Sequence, residues 1–157
     1  MKLRWLIVVL ALLAASAFAL SVQAGQWWSI GDVTVGPFGS RSPFGGSGDL
    51  AWAGGSVRWL RFGKATWAAG LIAMFVLVIV AGGVASRRVP RLAARTALVA
   101  TITAALAGAG FLATRPDNGM PFAIDRGVTL FAVAIVLGLV TALSVLRAPA
   151  PVRATPP

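Results

Sequence analysis

Four apolar runs divide the chain, and each is long enough to cross a lipid bilayer as a helix. They cover residues 5–24, 66–86, 96–114 and 128–147. A membrane-spanning helix needs about 20 mainly apolar residues to cross roughly 30 Å of hydrocarbon. Apart from Arg147 at the end of the fourth run, none contains an ionisable side chain. The pattern therefore predicts an all-α membrane protein, built as an antiparallel bundle of four transmembrane helices.

The longest segment between the runs, residues 25–64, has a different pattern. It is rich in glycine, tryptophan and phenylalanine. Residues 28–35 contain β-branched side chains in partial alternation and precede Gly36-Pro37, which predicts a strand followed by a turn. Asp49 is expected to cap a short helix or a second extended segment that leads to the second span. We therefore expect a small β-containing lobe outside the bilayer.

Composition supports a membrane protein and restricts its chemistry. Hydrophobic residues make up 58% of the 157 residues, and the mean hydropathy is +0.86. Cysteine, histidine and tyrosine are absent, and only four residues are acidic. Most catalytic bases, nucleophiles and metal ligands are therefore missing. We predict no cofactor, no metal and no enzymatic activity; a membrane-bound enzyme would require Asp32, Asp49, Asp117 or Asp125 to converge outside the bilayer.

The basic residues are distributed unequally between the two sides of a four-span topology. Eight of them, with no acidic residue, fall on the side of the termini: Lys2, Arg4, Arg87, Arg88, Arg91, Arg95, Arg147 and Arg153. Positively charged loops stay in the cytoplasm. The sequence thus predicts a multi-pass protein of a bacterial inner membrane with both termini in the cytoplasm. The net charge of +10 is attributed to the lipid surface and not to nucleic acid.

Both ends of the chain need separate interpretation. Residues 1–24 also fit a secretory signal peptide with a small-x-small cleavage site before Gly25. Its apolar core is longer than a typical signal, so we expect a first span and keep cleavage as the alternative. Residues 148–157 are rich in proline and predict a disordered cytoplasmic tail.

Small residues at helical spacing predict the faces through which the helices pack. In lipid, helices associate by close contact at glycine and alanine. The third span carries Ala100, Ala104 and Gly108, and the fourth carries Ala134, Gly138 and Ala142.

Residues 25–64 form the predicted first outer loop, and its aromatic side chains are the predicted contact residues for a partner. They are Trp27, Trp28, Phe38, Phe44, Trp52 and Trp59. Disordered linkers are poor in aromatic residues, so part of this loop should fold. Two alternatives stay open: Trp27 and Trp28 can anchor a span at the headgroup layer, and Trp52 and Trp59 can form an aromatic core of the lobe.

The arrangement resembles the claudin and peripheral-myelin-protein class of tetraspan proteins, and small four-span proteins of bacteria. The resemblance rests on four spans, a long first outer loop with Trp27 or Trp28 near its start, Gly36-Pro37-Phe38, and a basic connector. The loop cysteine pair of that class is missing. The resemblance implies a left-handed bundle of four helices with a small β-rich lobe that acts through lateral or face-to-face contacts. We expect the partner to be another membrane or envelope protein, or a second copy of the chain. The alternative function is an accessory subunit of a transport or secretion complex that acts through its helices.

Overall fold

Four long helices and one small antiparallel sheet make up the fold. The computed structural model describes residues 2–23, 26–42, 47–48, 56–116 and 123–148. The helices are α1 (Lys2–Gln23), α2 (Val57–Ala85), α3 (Arg91–Ala113) and α4 (Arg126–Arg147). All four are long and apolar enough to cross a membrane, and each packs against its sequence neighbour, with α1 also packing against α4.

All four helices begin before their apolar runs, and the difference is largest for α2 and α3. Helix α2 starts at Val57, where the hydroxyl of Ser56 accepts a hydrogen bond from the N–H of Trp59 at 3.2 Å. Such a side-chain acceptor satisfies one of the free N–H groups of a first helical turn. Helix α3 starts at Arg91, directly after Pro90. The apolar runs mark the part of each helix that suits lipid, whereas the hydrogen-bonded helix continues through the flanking polar residues.

The sheet consists of five described strands from two separate loops. They are β1 (Trp28–Ile30), β2 (Val33–Gly36), β3 (Gly39–Arg41), β4 (Ser47–Gly48) and β5 (Ala123–Ile124). Their spatial order is β4-β3-β2-β1-β5, and every neighbouring pair is antiparallel. The loop between α3 and α4 thus contributes the edge strand β5, which the sequence pattern did not indicate.

The single strand expected over residues 28–35 was wrong, because the structure divides it into the hairpin β1–β2. Ile30 is paired with Val33, so Gly31 and Asp32 form a two-residue connection. Gly31 has a φ of 57°, which suits glycine at the first central position of a tight hairpin turn. The β-branched pattern predicted extended backbone, but it did not predict the chain reversal at Gly31 and Asp32.

Small residues fill much of the bundle interior, and large aliphatic residues cover much of its outer surface. The interior of the membrane-length segments is lined mainly by alanine and glycine, including Ala14, Ala73 and Ala104, which are fully buried. The outer surface carries large aliphatic side chains, such as Leu13, Ile79 and Leu106, which are more than half exposed. The helices can therefore approach one another closely at these positions, while many of their large aliphatic side chains lie on the outer surface.

All six small residues predicted for helix packing lie buried inside the bundle: Ala100, Ala104, Gly108, Ala134, Gly138 and Ala142. At Gly108, the ring of Phe131 occupies the space that a Cβ would need. At Gly138, a Cβ would lie 3.1 Å from the hydroxyl of Thr101. These two glycines therefore bring α3 and α4 together by making room for a side chain of the other helix.

Candidate functional site: the sheet cap and its aromatic cluster

The sheet covers one end of the bundle and is held there by a cluster of buried rings. We call residues 26–42, 47–48 and 123–125 the cap. The aromatic cluster comprises Phe18, Trp27, Trp28, Trp59, Phe111 and Phe131, none of which is more than 4% exposed. Trp27 and Trp28 come from the cap, and every helix supplies one of the other four rings. The cap and the four helices therefore share one core.

Ring contacts continue from one side of the cluster to the other. Phe111 contacts two tryptophans, with its centroid 5.0 Å from that of Trp28 and 5.2 Å from that of Trp59, and these two indoles lie 6.3 Å from each other, all in stacked geometry. Trp27 meets Phe131 at 4.8 Å, and Phe131 meets Phe18 edge to face at 5.9 Å. Aromatic pairs at these separations stabilise by about 0.5–1.5 kcal/mol beyond the burial of their area.

Hydrogen bonds fix the chain where it enters the cap. The indole Nε1 of Trp27 donates to the carbonyl of Ser21 at 3.1 Å, and the hydroxyl of Ser21 donates to the carbonyl of Gly127 at 2.9 Å. The N–H of Gly127 donates to the carbonyl of Gln26 at 2.8 Å, and the N–H of Asp125 donates to that of Trp27 at 3.0 Å. The end of α1, the start of α4 and the first cap residues are thus joined through both side chains and backbone.

Glycine permits this junction at the start of α4. A Cβ on Gly127 would lie 2.6 Å from the carbonyl oxygen of Gln26 and 2.7 Å from a ring carbon of Trp27. No side chain fits there without moving the backbone. Gly127 therefore sets how closely the first turn of α4 can approach the cap.

The predicted contact residues fall into three groups. Trp27, Trp28 and Trp59 are buried at 0%, 1% and 0%, so their ring surface is used within the chain. Phe38 is 53% exposed. Phe44 and Trp52 lie outside the described residues, as does Asp49. Burial of Trp59 agrees with the aromatic-core alternative, although this core extends into the helices and is not confined to the lobe.

Sequence reasoning did not find the rings that come from the apolar runs. Phe18, Phe111 and Phe131 were read only as parts of spans. The available signal was their position: each lies within about two helical turns of the end of its apolar run that adjoins the α1–α2 loop or the α3–α4 loop. Rings at those three places must lie at one level of an antiparallel bundle, together with the loop tryptophans.

The exposed ring of Phe38 lies at the boundary between the cap and α2. Its centroid is 5.7 Å from that of Trp67, whose Nε1 donates to the side-chain oxygen of Gln23 at 2.7 Å. Phe38, Trp67 and Lys64 line a recess of about 350 Å³. Aromatic rings beside a lysine are typical of the level at which a membrane protein meets the headgroups.

Polar groups of the cap line a recess beside the hairpin. A shallow recess of about 240 Å³ is lined by Asp32, Thr34 and Arg41, among others. Among residues 2–23, 26–42, 47–48, 56–116 and 123–148, no three metal-ligating side chains are grouped. Of the four acids, Asp49 and Asp117 lie outside these ranges.

Comparison with protein-family models, with curated proteins and with solved structures found no match to this chain. The resemblance to claudin-type tetraspan proteins therefore stays a prediction.

Proposed function

We propose that the protein is a multi-pass membrane protein that acts as a structural or interaction component, with the cap as its contact surface. The observation that carries the membrane assignment is the apolar outer surface of the bundle. Each helix exposes large hydrophobic side chains, for example Leu13, Phe75, Leu106 and Val136, at 53%, 62%, 69% and 59%. In water this surface would cost about 25 cal/mol for each Å² exposed, whereas lipid removes the cost.

The charge asymmetry supports an orientation with the cap outside. The connector between α2 and α3 and both chain ends carry basic residues and no acidic residue. Such segments are retained in the cytoplasm. We propose that both termini are cytoplasmic and that the membrane is a bacterial inner membrane. Cleavage of residues 1–24 stays an alternative, which N-terminal sequencing of the mature protein tests; α1 supplies Phe18 and Ser21 to the junction with the cap.

The packing of the cap against the bundle supports the cap as the contact surface. Its tryptophans are buried in the aromatic cluster, so the strands that carry the outer side chains are anchored to the helices. Of the described cap residues, Phe38 and Ile124 are large apolar side chains at 53% and 66% exposure. We propose that this surface meets another membrane or envelope protein, or a second copy of the chain. Exposed aromatic anchors on a rigid support are frequent at such contacts.

The accessory-subunit alternative has less support. Helices of neighbouring membrane proteins associate through small residues. The six small residues predicted for helix packing are all buried within this chain, three on α3 and three on α4. They are therefore not available to a neighbouring subunit.

Single-cysteine labelling tests the orientation, and the natural chain has no cysteine to interfere. Asp32 in the cap and Ser86 at the opposite end are both exposed. We expect a membrane-impermeant maleimide to label Asp32→Cys in intact cells and to label Ser86→Cys only after lysis. The reverse pattern would invert the topology, and recovery of the protein in the soluble fraction would exclude the membrane assignment.

Site-specific photocrosslinking tests the contact surface. A photoreactive phenylalanine is placed at position 38, and the matched control is placed at position 75, where Phe75 is similarly exposed on α2. We expect a discrete protein adduct from position 38 and only lipid adducts from position 75. Protein adducts from position 75 alone would favour the accessory-subunit alternative, and lipid adducts from both positions would exclude the cap as a protein contact.

A further inference from the structure

The end of the bundle opposite the cap carries a pocket of about 340 Å³ between α1, the end of α2 and α4. Its apolar wall is formed by Val84 and Val145, which are buried, and by the half-buried Ile7. Its polar lining comes from Arg4, Arg87 and Arg88. The pocket therefore combines an apolar wall with three guanidinium groups.

The backbone presents two of these arginines in a defined geometry. Helix α2 ends with the N–H of Arg87 bonded to the carbonyl of Val84 at 3.1 Å and the N–H of Arg88 bonded to that of Gly83 at 3.0 Å. This is the paired hydrogen-bond pattern of a Schellman helix end, in which glycine usually occupies the left-handed position. Here Arg87 occupies it, with a φ of 59°. A side chain that disfavours this conformation is thus held at the mouth of the pocket.

Arg4 provides an independent sign of a missing acceptor. Its Nε atom is buried and has no hydrogen-bond partner among the residues that the structure describes. A buried donor on a charged group without an acceptor is unfavourable. An anionic oxygen bound in the pocket can satisfy this donor.

No acidic side chain follows or precedes these arginines at this end of the helices. In sequence, all four acidic residues lie in the segments that join α1 to α2 and α3 to α4, which is the cap side. Arg91 is used internally, since its Nη2 donates to the carbonyl of Ala148 at 3.0 Å and ties α3 to the end of α4. Arg4 lies beside the ring of Trp5, with its Cζ 5.1 Å from the ring centroid, a contact that leaves its Nε without a hydrogen-bond acceptor in the described part of the chain. An external anion can therefore bind Arg4 together with Arg87 and Arg88.

We propose that this pocket binds an anionic phospholipid. The phosphate lies between Arg4, Arg87 and Arg88, and the first carbons of an acyl chain lie against Ile7, Val84 and Val145. Guanidinium groups bind phosphate oxygens through paired, charge-assisted hydrogen bonds, and basic pockets between membrane helices select acidic headgroups. The proposal rests on the membrane assignment above, because it requires the pocket to open at the headgroup level.

Native mass spectrometry of the full chain in neutral detergent tests the proposal. The probes are dioleoylphosphatidylglycerol, dioleoylphosphatidylcholine with the same chains but no net charge, and glycerol 3-phosphate without chains. We expect phosphatidylglycerol to bind at least about tenfold more tightly than phosphatidylcholine, a ratio that corresponds to one charge-assisted hydrogen bond. Glycerol 3-phosphate should not displace it at equal concentration.

Arg87→Gly is the informative variant, since glycine suits the left-handed position and only the guanidinium is lost. Arg88→Gln repeats the test without a backbone change. Arg95→Gln, on α3 and outside the pocket, removes the same charge as the matched control. We expect about a tenfold loss of phosphatidylglycerol affinity in the first two variants and less than a twofold loss in the control.

Several outcomes would overturn the lipid site. Equal losses of phosphatidylglycerol affinity in Arg87→Gly and Arg95→Gln would show that general surface charge, and not the pocket, binds the lipid. Equal binding of the two lipids would remove the headgroup selectivity, and displacement by glycerol 3-phosphate would make the ligand a free phosphate. Because these measurements use purified protein, they are separate from the labelling experiment: an inverted topology would leave selective lipid binding intact, whereas a failed pocket would leave the four-span topology intact.

Discussion

The two ends of the bundle are closed in different ways. At the cap end, two long loops are organised around six buried rings, a five-stranded sheet and backbone hydrogen bonds that join the end of α1 to the start of α4. At the opposite end, a connector of residues 86–90 reverses the chain, and arginine is the dominant polar residue. In this protein the longer loops pack on an apolar core of their own. The short connector is held by local hydrogen bonds, and its arginines remain available for binding.

The largest expected effect comes from removing a ring of the aromatic cluster. Trp27→Ala deletes a fully buried side chain and its hydrogen bond to Ser21, so we expect the free energy of unfolding to fall by about 3–5 kcal/mol. Trp5→Ala, at 50% exposure, is the matched control and should cost less than about 1 kcal/mol. Denaturant unfolding in detergent measures both. Equal losses would mean that the cluster does not hold the cap.

The next effect concerns the close approach of α3 and α4. A Cβ at position 108 meets the ring of Phe131, so Gly108→Ala should destabilise the protein by about 1–3 kcal/mol. Gly82→Ala is the control, since a Cβ there has no heavy atom within 4 Å, and better helix propensity should stabilise by up to about 1 kcal/mol. We expect thermal unfolding to show a lower melting temperature for Gly108→Ala and a higher one for Gly82→Ala. A higher melting temperature in both variants would show that helix propensity, not packing, governs both glycines.

A smaller effect is expected at the junction between α1 and α4. Ser21→Ala removes the hydrogen bond to the carbonyl of Gly127 and leaves that buried acceptor with one partner fewer, at a cost of about 1 kcal/mol. Ser16→Ala changes an exposed serine of the same helix and should be neutral within about 0.5 kcal/mol. Hydrogen exchange at the backbone of residues 26–28 should rise only in the first variant. Unchanged hydrogen exchange at residues 26–28 in Ser21→Ala would show that this serine does not stabilise the cap.

The smallest effect is expected at the arginine-lined end. Arg87→Gly relieves a left-handed side-chain residue and should change the free energy of unfolding by less than about 1 kcal/mol, in the stabilising direction. The same substitution inside α3, Arg95→Gly, should destabilise by about 1 kcal/mol because it weakens a regular helix. Calorimetry of the two variants makes the comparison. Destabilisation by Arg87→Gly would indicate that its side chain supports the connector.

Part of the site could be anticipated from the sequence, because some of its residues carry a local signal. The tryptophans of the first loop indicated a folded lobe, and β-branched residues indicated extended backbone near Trp28. The hairpin reversal at Gly31 and the early start of α2 at Val57 depend on single hydrogen-bonded turns that hydropathy does not register. Phe111 and Phe131 carried no signal as cluster members, since inside an apolar run a phenylalanine facing lipid and one facing the core look alike.

By itself, the sequence determined the number of the helices, the small residues available at their contacts and the confinement of the acidic residues to two of the loops. Hydropathy and charge are local quantities, so they can be read from neighbouring residues. Only the tertiary structure decided that six rings from five segments share one core, that β5 joins the sheet from a distant loop, and that three arginines border one apolar pocket. These are contacts between residues far apart in sequence, and they exist only once the helices have packed at their particular rotations.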